Sequence, residues 1–250
     1  MRIEKYVVVC AVVMMVFGSM IGTTYGAPSE EGKKDWNISF WGTMQVPDQL
    51  EIVDGKDVIL EMVKIDEKAK KEHPVKVADP KAKTFSPQEI TEAFEKNNIG
   101  VYQFALKNHG SYNTAFVFVG KLPAQYNVNG VTFFDTLKNM NRQKQEEVHK
   151  MILKGIGDVY AKDPELKNVF DVEILEFYPF KQIDNENAKI VSVGGSLAVR
   201  TFKLVQPFAF KTYIVNKNSE IYIFTILDSG SDRKIWDKMT KEMLKTAQWK

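Results

Sequence analysis

From Ile38 to Val46 the chain alternates, with Ile38, Phe40, Gly42, Met44 and Val46 on one side and Ser39, Trp41, Thr43 and Gln45 on the other. A period of two predicts a strand with one buried face, and Val46-Pro47-Asp48 ends it. Leu50 to Val53 and Val58 to Val63 are apolar runs on either side of Asp54-Gly55, a strong hairpin signal. Ser86-Pro87-Gln88-Glu89 predicts the start of a short helix, with Ser86 as cap, Pro87 at the first helical position and Glu89 completing a capping box. Ile99 to Leu106 and Ala115 to Val119 then predict a second antiparallel pair, joined through Asn108-His109-Gly110.

At Thr132 the period changes. Phe133, Leu137, Met140, Val148, Met151 or Ile152, and Val159 fall on one stripe of a long helix, which must lie on a sheet and which Asp163-Pro164 stops. The segments Val169 to Tyr178, Lys189 to Val193, Leu197 to Val205, Phe208 to Val215 and Ile221 to Leu227 read as strands. Gly194-Gly195, Pro207 and Asn216-Lys217-Asn218-Ser219 separate them. A final helix, Ser231 to Ala247, carries Trp236, Met239, Met243 and Ala247 on one side. Strand clusters broken by a few helices predict the α+β class, an antiparallel sheet flanked by helices.

The beginning of the chain has a different pattern. Arg2 and Lys5 precede an unbroken apolar run from Tyr6 to Phe17, and small residues lead to Gly26-Ala27-Pro28. This is the order of a secretory signal peptide over residues 1–27, which predicts an exported protein, secreted or periplasmic, cleaved after Gly26 or Ala27. Gly18-Ser19 and Gly22-Thr23-Thr24 interrupt the run before it reaches the length of a membrane span. Cys10 lies inside the run, behind Val9, and does not read as a lipid-anchor position.

Cleavage would leave residues 28–250 as one α+β domain, without the only cysteine of the chain. Such a domain has no disulfide, thiol nucleophile or thiolate metal site, and its stability must come from its core. Arg2, Lys5 and Glu4 would leave with the leader, turning 34 basic and 32 acidic residues into 32 and 31. That balance argues against a nucleic-acid partner, which requires a concentrated basic footprint. Lys64 to Lys83 is the strongest local bias. It reads as a solvated loop or short helix around His73-Pro74 and Asp79-Pro80, with binding to an anionic lipid or polysaccharide as its alternative.

The candidate chemical motifs fail on their surroundings. Asp228-Ser229-Gly230-Ser231 resembles the loop of aspartic proteases, in which two carboxylates share a proton. It has no second copy, and Asp232 to Lys250 reads mostly as a helix, so Asp228 is expected to turn a strand into a helix and cap it. Gly194-Gly195-Ser196-Leu197-Ala198 approaches a nucleophile elbow, yet a strand follows it and no histidine lies beyond His149; it reads as a glycine hairpin. His73, His109 and His149 lack metal-ligand spacing. Glu146 and His149, among Lys144, Glu147 and Lys150, read as solvated surface. Gly155-Ile156-Gly157 marks helix fraying or close packing. No catalytic residue, metal or cofactor is expected. The candidate binding residues are Trp41, on the face of the first strand shared with Ser39 and Thr43, and Trp36, since exposed large aromatics mark interaction sites.

Val46-Pro47-Asp48-Gln49-Leu50, Gly194-Gly195-Ser196-Leu197-Ala198-Val199-Arg200, Glu220-Ile221-Tyr222-Ile223-Phe224-Thr225 and the helix ending Ala247-Gln248-Trp249 together resemble the PsbP-like and DcrB-like superfamily. The resemblance covers the last sixty or so residues best. It implies an α/β/α sandwich around an antiparallel sheet and a small, non-enzymatic accessory role, and it assigns no site residue. The functional expectation is an exported, non-catalytic protein that binds a partner protein or an envelope component through one face of its sheet. A small-ligand or lipid carrier is the alternative, and a hydrolase the third reading.

Overall fold

The computed structural model describes residues 32–55, 98–108, 111–122, 139–162, 170–183, 188–201, 204–218, 220–229 and 233–250, with a few single positions between them. The leader at 1–27, the strand expected at 58–63, the lysine-rich segment 64–83, the helix start at Ser86 and Phe133 to Leu137 lie outside the described residues. The strands are β1 (Lys33–Ile38), β2 (Gly42–Pro47), β3 (Leu50–Asp54), β4 (Ile99–Asn108), β5 (Ser111–Lys121), β6 (Phe170–Ile183), β7 (Lys189–Thr201), β8 (Leu204–Lys217), β9 (Glu220–Asp228) and β10 (Gln248–Trp249). Two helices fully within the described residues, α1 (Arg142–Lys162) and α2 (Arg233–Lys245), stand among them.

The strands form a seven-stranded sheet of order β3-β4-β5-β9-β8-β7-β6 and a three-stranded sheet of order β1-β2-β10. Every pairing is antiparallel. Alternation sorts the side chains of the large sheet. Phe104, Leu106, Ala115, Val117, Val119, Tyr213, Val215, Tyr222, Phe224 and Ile226 line one face, and the main core encloses them. Trp236, Met239, Met243, Leu244 and Ala247 close this core from α2 and its end, and Ile38, Trp41, Met44 and Val46 close it from the small sheet. The other face carries the buried Phe116, Phe118, Val191, Ile221 and Leu227. On that side α1 meets β6 through the His149 and Phe177 rings, stacked at 3.9 Å.

Four local expectations are corrected. The alternating run 38–46 is a hairpin and not one strand: Ile38 pairs with Gly42, and the backbone N–H of Trp41 donates to the Ile38 carbonyl at 3.0 Å. β3 pairs with the distant β4, and Gly55 is helical, so Asp54-Gly55 is not the turn of a local hairpin. Gly194 and Gly195 lie in the middle of β7, opposite Tyr178 and Phe177 of β6. A Cβ on Gly195 would stand 2.3 Å from the Glu176 carbonyl oxygen and one on Gly194 2.6 Å from that of Phe210, so these glycines permit close strand approach beside the irregularities of β6. The long helix begins at Arg142, because Asn141 caps it, its Oδ1 accepting the N–H of Lys144 at 2.9 Å. Gly155 and Gly157 remain inside α1, and no described atom lies within 4 Å of where their Cβ would be.

Pro207 is tolerated within β8 because it lies past the last β8–β9 pair, Ala209–Asp228, where β7 is the only partner the sheet gives that strand. Gly42 has φ +139°, and a Cβ there would meet the Gln248 carbonyl oxygen at 2.1 Å. That glycine lets β10 reach β2 and complete the small sheet.

Candidate functional site

The two tryptophans singled out in the sequence have different environments. Trp41 is fully buried, its ring 4.3 Å from Trp249, 6.0 Å from Tyr222 and 6.2 Å from Phe224. Its expected position on an outward strand face is corrected: it occupies the turn between β1 and β2, which swings the ring inward. Trp36 lies at the lip between the two sheets, partly buried, edge-on to Tyr102 at 4.9 Å and to Phe104 at 5.2 Å. Burial, reinforced by the charge of Asp54, pushes the Tyr102 hydroxyl up to about 12. The tryptophans do not form one platform, and only Trp36 keeps surface to offer a ligand.

A polar network that the sequence reading did not anticipate joins α2 to the sheet. Asp237 stands beside Trp236, and Lys211 shares the inward parity of Tyr213 and Val215 on β8. Asp237 Oδ1 accepts from Lys211 Nζ and from the Tyr213 hydroxyl, the latter at 2.7 Å, and Oδ2 accepts from Lys241 Nζ at 2.9 Å. Burial alone would raise the Asp237 carboxyl; the three donors and the Lys211 charge outweigh it and hold the group at about 2. The Tyr213 hydroxyl is pushed up by burial and by its bond to Asp237. Lys211 moves down because desolvation, helped by the neighbouring charges of Lys241 and Lys181, exceeds the attraction of Asp237. The sequence signal was a charge at an inward strand position with its counter-ion on the opposing helix.

A second network holds the segment around β10. Glu220 accepts from Lys121 at 2.7 Å and from the Tyr222 hydroxyl at 2.6 Å, and both bonds hold its carboxyl down. Lys121 Nζ also reaches the Lys250 carbonyl oxygen, at 3.3 Å, and Lys250 Nζ donates to the Ser39 carbonyl at 2.9 Å.

His149 is corrected from solvated surface to interface. Its ring lies parallel to Phe177, at 3° between planes, with Phe180 edge-on at 5.9 Å. One face of α1, with Gln145, His149 and Ile152, turns toward β6 while Glu146, Glu147 and Lys150 remain outside. Gln145 Oε1 fixes this docking by accepting the N–H of Phe180 at 3.2 Å. Burial pushes the imidazole down, opposed by the Glu146 carboxylate. Asp228 is the last residue of β9 and is buried, opposite Ala115 and Ala209, five positions before α2 begins. Among the described residues no group of three or more His, Cys, Asp or Glu side chains is placed to hold a metal ion, and no helix is long and apolar enough to cross a membrane.

Among the described residues the most exposed large apolar side chains of the big sheet are Leu175, 56% exposed, and Val205, 61% exposed. Val205 pairs with Arg200, and Arg200 with Asp171, so the three side chains share a face. Arg200 forms an ion pair with Glu173, two residues from Leu175, which stands where the register between β6 and β7 shifts. Val205 has the parity of Lys211 and Tyr213, so this is the α2 side of the sheet, beyond the reach of the helix. Pro207 is exposed on the same face.

The chain is thus a predominantly antiparallel α+β protein with a sealed aromatic core and an open sheet end. No protein-family model matches it, and no curated protein matches it significantly. Among solved structures it is similar to the solution structure of cyanobacterial PsbP (CyanoP) from Synechocystis sp. PCC 6803, at 9% identity and a TM-score of 0.39, over 92% of this chain and 99% of that one. At that identity and TM-score no family, residue, partner or activity is carried over.

Proposed function

We propose that the chain is an exported, non-catalytic accessory protein, a helix-flanked antiparallel sandwich that binds a partner protein or envelope component through the open end of its large sheet. The observation that carries this reading is the exposure of Leu175 and Val205 around the Glu173–Arg200 ion pair, because apolar side chains rimmed by charge are the usual make-up of an interaction patch. Asp237 is a poor candidate for acid–base catalysis: three donors occupy its oxygens and hold it far below neutrality, whereas a working acid or base titrates near the operating pH. Export rests on the order of charge, apolar run and small residues in 1–27.

The test is site-specific photo-crosslinking in the native cell. A photoreactive residue at position 175 or 205 is expected to capture one defined partner, and the same residue at Leu153, an apolar side chain exposed on α1, is expected not to. Equal capture at all three positions, or none at 175 and 205, overturns the reading.

A further inference from the structure

α2 has two unlike faces. Trp236, Met239, Thr240, Met243 and Leu244 are buried. Lys234, Lys238, Lys241 and Lys245 follow at steps of four, three and four, and at 3.6 residues per turn they fall within a stripe about 60° wide, opposite the buried face. Lys234, Lys238 and Lys245 are exposed, and Lys241 is partly so. No acid interrupts the stripe. Asp237 and Glu242 flank it, and both are engaged, Asp237 by Lys211 and Lys241 and Glu242 by Lys245.

The helix holds five basic and two acidic side chains, while the whole chain has a net charge of only +2. The basic excess of α2 therefore exceeds that of the whole chain, and the second described helix differs in arrangement: α1 exposes Arg142, Lys144, Lys150 and Lys154 among Glu146, Glu147 and Asp158, with signs mixed. The positive field extends past the helix. Lys33 acts on Glu242 from β1, and Lys181 acts on Lys211 from β6.

We infer that this lysine stripe is a docking surface for an anionic lipid bilayer, held by charge and without insertion. Protein interfaces favour arginine and aromatic side chains and are depleted in lysine. Here the stripe is lysine alone, a set of compact, strongly hydrated point charges, which suits a diffuse sheet of headgroup phosphates better than the fixed pairs of a protein partner. A helix lying flat presents its lysines to such a plane together, and each adds roughly a fivefold gain in binding. The apolar side of α2 is committed to the core, so the contact stays at the surface. This inference uses a surface other than the open sheet end, and its assay contains no protein partner, so the two readings fail separately.

The mature protein is sedimented with phosphatidylcholine vesicles, with or without phosphatidylglycerol as about one third of the lipid. Binding is expected only to the anionic vesicles at low salt, and loss of binding is expected as salt rises to about 0.5 M. The variant K234Q/K238Q/K245Q, which spares the Asp237 partner Lys241, is expected to bind about 10²-fold more weakly. The corresponding triple arginine variant is expected to bind like wild type, as is K144Q/K150Q/K154Q on α1. Equal binding to neutral vesicles, undiminished binding by the α2 glutamine variant, or binding of wild type to soluble heparin but not to anionic vesicles overturns the inference.

Discussion

Substituting Asp237 measures what the ion network between α2 and the sheet contributes to the fold. The carboxyl drops from its ordinary 3.8 to about 2 in the folded protein, and at 1.36 kcal/mol per pH unit this corresponds to about 2 kcal/mol. The sign follows from the direction. The folded state prefers the ionised form, so the contribution is fully present above the ordinary value and is lost as pH falls from there through about 2. Asp237→Asn keeps an acceptor for the Tyr213 hydroxyl and is expected to cost about 2 kcal/mol at pH 7. Asp237→Ala also strands that hydroxyl on a fully buried ring, which adds roughly 1–3 kcal/mol. Urea unfolding followed by tryptophan fluorescence, repeated from neutral pH to about 2, gives both quantities. Wild type is expected to lose stability below about pH 4 more steeply than Asp237→Asn, the two curves converging at the acid end. Parallel curves, or a cost for Asp237→Asn under about 0.5 kcal/mol, would refute the network as a source of stability.

Trp236 is fully buried and part of the main core, so Trp236→Ala is expected to cost about 3–5 kcal/mol in the same unfolding assay; a loss under about 1 kcal/mol would mean that α2 is peripheral. The depressed His149 imidazole favours its neutral form in the fold, so the stability it contributes is complete above its ordinary value of 6.5 and is lost as pH falls below that. Protection factors of the α1 amides, which remove the intrinsic slowing of exchange in acid, are therefore expected to fall on acidification in wild type and to fall less in His149→Phe. Identical pH dependence in the two proteins counts against this docking account.

Much of the strand content was legible because alternation survives wherever one face is buried. The expected run Ile221 to Leu227 is β9 with one further residue at each end, and the stripe Trp236, Met239, Met243, Ala247 is buried as expected. The turn at 39–41 was not legible for a geometric reason. Its three residues keep Ile38, Gly42, Met44 and Val46 in one parity, so a hairpin and a single strand have the same pattern. Glycine misled twice. Gly194 and Gly195 permit close strand approach, and Gly55, whose Cβ would stand 2.6 Å from the Val101 carbonyl oxygen, admits β4; local signals do not distinguish such contacts from turns. The candidate site was less legible than the fold. Trp36 was found but its partner ring Tyr102 was not, and Lys211 meets Asp237 across 26 positions and two elements. His149 was hidden by the charges on either side of it, since only one residue per turn of α1 reaches β6.

Among the described residues, the most strongly perturbed carboxyls and hydroxyls are engaged inside the fold. Asp237 and Glu220 have depressed carboxyls, and each shift is explained by donors from adjoining strands or the same helix. Tyr213 and Tyr222 are raised in turn by burial and by those same carboxylates. These groups perturb one another, and each shift is used up inside the fold, joining α2 to β8 or β10 to β5 and β9. What the fold leaves outward is of another kind: two apolar side chains beside an ion pair at the sheet end, and a stripe of like charge along α2. Both are the features on which the proposed binding roles rest. On the proposed reading, an accessory protein held at an anionic surface by its helix would keep its sheet end free for a partner, so that each of these features has one use.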